Sequence, residues 1–83
     1  MRHCVYILFS VSCYKFYTGQ TQDFDNRLAE HNRGETPSIK SCIPWKLVWL
    51  KEVETRVEAL KLEKKIKSRG ANRFLIEQGV MVN

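Results

Sequence analysis

The sequence predicts a mixed α+β domain whose elements follow in the order β-β-α-β-α-α. Two observations carry this. Near the N-terminus, two short runs rich in β-branched and aromatic residues flank a polar stretch, which is the signature of a hairpin. Farther on, Thr55-Arg-Val-Glu58 is a capping box opening a long amphipathic pattern, where the Thr and Glu side chains satisfy each other's free amides. At 83 residues the chain has room for one domain, taken as 1–83, with a single modest core.

Residues 3–9, His-Cys-Val-Tyr-Ile-Leu-Phe, read as a buried strand bounded by Ser10 and Ser12. Residues 16–20, Phe-Tyr-Thr-Gly-Gln, read as its hairpin partner, which sets Tyr6 and Tyr17 on adjacent antiparallel strands. Thr21 is the expected cap of a helix over roughly 22–32, with Asp23 in a first turn that favours an anion and Gly34 as its stop. Within that helix Phe24, Arg27, Leu28 and His31 share one face. Residues 33–44, with Gly34, Pro37 and Pro44, read as a loop, and 45–51 as a third strand. The capped helix is expected to run to about Ser68, with Ala59, Leu60, Leu62 and Ile66 as its apolar arc and Gly70 as its stop. A last short helix covers about 71–78.

The composition excludes several classes. A 43% hydrophobic fraction is too apolar for a disordered chain. No apolar run approaches the length of a membrane span, and the N-terminus lacks the pattern of a cleaved leader. Cys4, Cys13 and Cys42 form no metal-binding spacing, so free thiols in a cytoplasmic, monomeric protein are expected. The net charge is +5, and residues 61–73 account for all of it: Lys61, Lys64, Lys65, Lys67, Arg69 and Arg73 stand against Glu63 alone. Concentrated charge of this kind suits a phosphate backbone, which is contacted without reading sequence.

Four constellations carry candidate chemistry. Glu63 falls inside the apolar arc of its helix; it either pairs with Lys67 one turn on or supplies a carboxylate to a divalent cation. Arg27 and His31, one turn apart, either flank the core or form a phosphate clamp beside a proton-exchanging group. Tyr6 and Tyr17 are either core residues with satisfied hydroxyls or a base pair of which one has a lowered pKa. The basic segment is either a solvated helix face or a nucleic-acid surface formed by Lys64, Lys65, Lys67, Arg69 and Arg73, to which Lys46 on the third strand is added.

In order along the chain, Cys4-Val5-Tyr6 and Tyr17-Thr18-Gly19 resemble the paired tripeptides that name the GIY-YIG nuclease family. Arg27-Leu-Ala-Glu-His31-Asn32 is similar to that family's Arg-Leu-x-x-His-Asn helix, and Pro44-Trp45-Lys46-Leu47-Val48 to its third strand. Glu58-Ala59-Leu60 followed by Glu63-Lys64 and Ile66-Lys67 is similar to its metal-binding helix. The likeness is greatest to small single-domain bacterial members related to the nuclease domain of the UvrC repair protein. Cys4 stands where the first tripeptide has glycine, Thr18 where the second has isoleucine, and Leu75 where the family often has an asparagine; Asn72 lies nearby.

The resemblance implies a three-stranded, mostly antiparallel sheet flanked by helices. It also implies hydrolysis of DNA phosphodiester bonds, with RNA as a further substrate class, assisted by Mg²⁺ or Mn²⁺. In that scheme Glu63 holds the metal, Tyr6 activates the attacking water and Tyr17 supports it. Arg27 stabilises the pentacovalent charge, and His31 relays protons or positions Tyr6. A role in DNA repair or recombination follows from the same likeness. Two other classes compete: a basic binding module without turnover, and an adaptor using Trp45, Trp49 and the tail Val80-Met81-Val82.

Overall fold

A computed structural model describes residues 2–35 and 39–80; Pro37 of the expected loop and Met81 and Val82 of the tail lie outside the described residues. The elements are β1 (His3–Ser10), β2 (Lys15–Thr21), α1 (Phe24–Asn32), β3 (Trp45–Val53), α2 (Arg56–Arg69) and α3 (Ala71–Glu77), with one 3₁₀ turn at Lys40–Cys42. The order β-β-α-β-α-α is as the sequence predicts. Both strand pairs are antiparallel, and the sheet order is β2-β1-β3.

Central position explains the composition of β1. Val5 through Ser10 are all buried because helices cover both faces and strands cover both edges. Alternate side chains then feed two separate clusters. Val5 and Ile7 pack with Ala59 and Ile66 of α2 and Phe74 and Leu75 of α3. Tyr6 and Leu8 point the other way, against Phe24 and Leu28 of α1, Trp45 and Ile39. The sheet is thus sandwiched between α1 and the α2–α3 pair.

Four local features differ from the expectation. The cap of α1 is Asp23, which accepts from the Asn26 amide, and Thr21 instead accepts from the Asp23 amide in the turn leading in. β3 runs two residues past Lys51 to Val53, with a bulge where Ile7 faces Trp49 but Leu8 faces Leu47. Leu60 is 45% exposed, because α2 lies on the sheet along a narrow stripe through Ala59, Leu62 and Ile66. Glu63 falls on this same stripe. Finally, Cys13 and Cys42 form a disulfide, so the expectation of free thiols holds only for Cys4. The fold creates that pair: Ser10 and Ser12 hydroxyls both meet the Cys42 carbonyl, docking the 3₁₀ turn onto the β1–β2 connection across 29 residues of sequence.

Half of the expected capping box of α2 is present: Thr55 Oγ1 accepts from the Glu58 amide at 3.1 Å, whereas the Glu58 carboxylate accepts from the Thr55 hydroxyl at 3.3 Å instead of from its amide. Gly70 at φ 91° turns the chain sharply into α3. Trp45 and Trp49 are core residues: Trp45 is buried with its indole N–H donating to the Ile39 carbonyl, and Trp49 meets Phe74 edge-on at 5.0 Å.

Gly19 is required by packing. It lies directly opposite Tyr6 in the β1–β2 register, and the phenol ring crosses over it. A Cβ at residue 19 would lie 2.6 Å from the Tyr6 hydroxyl oxygen and 2.8 Å from Cζ. Gly19→Ala is therefore expected to destabilise the fold by about 1–3 kcal/mol through overpacking. Ile66→Ala is expected to cost about 2–5 kcal/mol through the cavity it leaves. Urea unfolding measures both, and only Gly19→Ala should also shift the Tyr6 ring resonances in the folded state.

Candidate active site

The Tyr6 side chain is the centre of the site. It leaves the middle of the central strand, is 1% exposed, and would leave a buried hydroxyl unsatisfied were α1 not placed to meet it. His31 does so: Nε2 lies 3.1 Å from the Tyr6 oxygen. The Arg27 side chain acts on the same hydroxyl and favours its ionised form. Arg27 and His31 are one helical turn apart, so a single face of α1 delivers both. Phe24, one turn earlier, meets the Tyr6 ring edge-on at 5.3 Å.

Tyr17 completes the aromatic wall. It pairs with Leu8, which places it diagonally from Tyr6 on the same face, with ring centroids 6.5 Å apart. Its ring stands edge-on to His31 at 5.1 Å and faces Trp45 at 6.1 Å. Glu63 reaches the cluster from the opposite layer, on the buried stripe of α2. Its carboxylate is close enough to oppose ionisation of Tyr6. The structure thus gathers Tyr6, Tyr17, Arg27, His31 and Glu63 from four elements into one region.

The electrostatics set the protonation states. Burial pushes the Tyr6 phenol up to about 12; the Arg27 hydrogen bond pulls the other way, while Tyr17 and Glu63 add to the rise. Tyr6 is therefore a neutral phenol at pH 7. His31 is fully buried, and that burial, then the Arg27 charge, lower its pKa below the ordinary imidazole value, with Glu30 partly offsetting them. A neutral imidazole thus faces a neutral phenol. Arg27 is steered by Glu30, whose Oε1 accepts from Nη1 at 3.2 Å.

Among the described residues there is no group of three or more His, Cys, Asp or Glu side chains that could enclose a metal. The donor set at Glu63 is one carboxylate, with 18% of its side chain exposed, and its Oε2 already holds a cation, the Lys67 ammonium at 2.9 Å. This fits Mg²⁺ or Mn²⁺, which take one or two protein carboxylates and complete their shell with water and phosphate oxygens.

The basic residues are divided by their partners. All of Lys64, Lys65, Lys67, Arg69 and Arg73 are exposed. Lys67 is paired with Glu63, and Arg69 donates to Glu77 of α3 at 2.9 Å. Among the described residues Lys64, Lys65 and Arg73 carry no ion pair. Lys46 is exposed on β3, the sheet edge opposite Tyr17. A cleft of about 530 Å³ adjoins the cluster between β2 and the α2–α3 corner, lined by residues that include Tyr17, Thr18, Lys67 and Asn72.

Three contributions were not legible as functional in the sequence. Gly19 admits the Tyr6 ring, and Glu30 aims Arg27. Asn32 exchanges two hydrogen bonds with the Trp45 backbone, at 2.6 and 3.2 Å, and so ties the end of α1 to the start of β3. Gly19 and Asn32 fall within the quoted motifs without an assigned role, and Glu30 has a local signal in its i+3 spacing from Arg27.

The chain has relatives of similar sequence and fold. The chain is 38% identical over 84 residues to a UPF0213 protein of the archaeon Haloquadratum walsbyi, a match covering 98% of this chain and 93% of that one. It is 36% identical to a UPF0213 protein of Staphylococcus saprophyticus, covering 94% and 98%. The solution NMR structure of a UPF0213 protein from Bacillus halodurans superposes with a TM-score of 0.58 at 28% identity, covering 94% of this chain and 85% of that one. The model of the GIY-YIG catalytic domain matches residues 2–74, a span that includes every strand and helix contributing to the Tyr6 cluster. By that match the chain belongs to the GIY-YIG catalytic-domain family.

Proposed function

We propose that this protein is a Mg²⁺- or Mn²⁺-dependent endonuclease that hydrolyses phosphodiester bonds in DNA, with the reaction centred on Tyr6. The observation that carries the reading is the convergence of Arg27, His31 and Glu63 on one buried phenol. A purely structural tyrosine needs one partner for its hydroxyl; this one has an imidazole, a guanidinium and a carboxylate acting on it.

The protonation states define the roles. Tyr6 cannot act as a preformed phenolate at neutral pH, because burial holds its proton. It acts as a relay: the phenol oxygen takes a proton from the attacking water while its own proton passes to His31 Nε2. The lowered pKa of His31 keeps the imidazole neutral beforehand, and in the tautomer whose Nε2 bears no hydrogen that nitrogen accepts the proton. Arg27 then faces the negative charge that develops on the phosphoryl oxygens. Glu63 would hold the divalent cation, which would supply Lewis-acid activation and charge neutralisation at the leaving oxygen. Tyr17 walls the imidazole and keeps its plane fixed. Lys64, Lys65 and Arg73 attract the backbone without selecting a sequence. Because phosphate contacts do not select a sequence, targeting is by DNA shape, such as branched or damaged duplexes in repair or recombination.

Cleavage of a panel of linear, nicked, branched and flapped DNAs, with and without Mn²⁺, tests the reading. Glu63→Gln should abolish product, and Arg27→Ala should lower kcat by about 10²–10³. Salt-sensitive DNA binding with no product from the wild type on any substrate would instead establish the non-catalytic module.

The relay also fixes the pH profile. The folded pKa of His31 is lowered, so the productive neutral form persists below pH 6.5 and is lost only under more acid conditions. The acid limb of kcat/KM should accordingly fall below pH 6.5, with a plateau from about pH 7 to 9. In His31→Ala, Tyr6 must lose its proton to bulk solvent, so log kcat/KM should climb with pH through that window. Equal profiles for the two proteins would sink the relay.

A further inference from the structure

We infer that Lys67 is an exchangeable counter-ion, resting on the Glu63 carboxylate until a divalent cation replaces it and then binding a substrate phosphate in the adjoining cleft. This rests on the assignment of Glu63 as the cation ligand. It assigns to Lys67 a role distinct from that of the other lysines of the segment.

The geometry singles Lys67 out. It is the one lysine of the 61–73 segment a full turn beyond Glu63, and its Nζ lies 2.9 Å from Oε2. Lys64 and Lys65, one and two residues beyond, project to other sides of α2. Arg69 is occupied by Glu77. The two members of the pair differ in freedom: the Glu63 side chain is 18% exposed and fixed on the buried stripe, whereas that of Lys67 is 59% exposed on a flexible four-carbon stem. Lys67 also lines the 530 Å³ cleft with Tyr17, Thr18 and Asn72, so one side chain borders both the carboxylate and the open volume beside the aromatic wall.

The exchange follows from charge. One carboxylate oxygen cannot serve an ammonium and a divalent cation together without placing like charges a few ångströms apart, an arrangement that is costly in a partly desolvated site. Arrival of the cation therefore releases Lys67. The nearest space is the cleft it already lines, where Thr18 and Asn72 supply polar groups and a phosphate oxygen supplies the missing anion. Metal binding and substrate binding then reinforce each other through one side chain, because each draws Lys67 and the cation to separate anions.

Two binding measurements on the full chain test this without reference to turnover. Mn²⁺ affinity, read from the free-ion paramagnetic resonance signal, should tighten roughly three- to fivefold in Lys67→Met, the scale of losing one exposed ion pair. Lys61→Met removes the same charge from the same helix and should leave Mn²⁺ affinity unchanged. In EDTA, a short duplex should bind Glu63→Gln more tightly than wild type, and most of that gain should vanish in the Glu63→Gln, Lys67→Met double variant. Equal Mn²⁺ affinities for Lys67→Met and Lys61→Met, or a Glu63→Gln gain that survives loss of Lys67, overturns the exchange. If Glu63→Gln binds Mn²⁺ as wild type does, Glu63 is not the ligand, and the functional reading fails along with the exchange.

Discussion

The burial of one phenol in the central strand constrains everything around it. Tyr6 leaves β1 at a position where neighbouring strands close both edges and helices close both faces, so its side chain is almost wholly withdrawn from bulk solvent. A buried hydroxyl without a partner costs about 1–3 kcal/mol, a sizeable fraction of a small domain's net stability. The sequence meets that cost by bringing α1 across the sheet at an angle that delivers His31 and Arg27 together. Gly19 follows from the same constraint, since no side chain fits beneath the ring. Asn32 follows from it too, because pinning the end of α1 to Trp45 fixes the height at which His31 meets the phenol.

The two helical layers divide the labour. α1 touches the tyrosine face and supplies the groups that hold protons and positive charge. α2 and α3 bury the aliphatic face of β1, packing Ala59, Ile66, Phe74 and Leu75 against Val5 and Ile7. Glu63 is the exception to that division, a carboxylate on the stripe where α2 packs, between Ala59 and Ile66. A helix optimised for stability alone would carry an apolar residue there. Its retention beside Lys67, in a segment that holds the entire net charge, fits a site in which repulsion and attraction are both used.

Legibility in the sequence followed the range of the interactions. Local rules were sufficient for α2, where the Thr55–Glu58 box and Gly70 mark both ends, and for the hairpin, whose aromatic runs need only a turn between them. They were insufficient at α1, where Thr21 and Asp23 are equally good caps and the turn chose Asp23. They also misjudged Leu60, because the wheel gives the angle of the apolar arc but not the width of the groove it enters. The Cys13–Cys42 pair was invisible for a different reason: it depends on Ser10 and Ser12 gripping a carbonyl far along the chain. The site residues were legible as types and spacings. Their protonation states were not, since those depend on burial that only the folded sheet creates.

That last point bears on how the chemistry works. From residue type alone, Tyr6 suggests a base whose pKa is lowered by its neighbours. In the fold, desolvation outweighs the Arg27 hydrogen bond, and Glu63 adds to the rise, so the phenol keeps its proton. Two of these effects are not permanent. A divalent cation held by Glu63 would offset the carboxylate's contribution, and a phosphate held by Arg27 would compete with the phenol for that guanidinium. The first change makes the Tyr6 proton easier to lose; the second makes it harder, leaving His31 as the acceptor on which the transfer depends. A site arranged in this way loses little by remaining inert without its ion. On the proposed relay, loss of the Tyr6 proton would need the His31 imidazole as acceptor and a cation at Glu63 to offset the carboxylate, so a phenol that the fold keeps protonated would become reactive only in the loaded site.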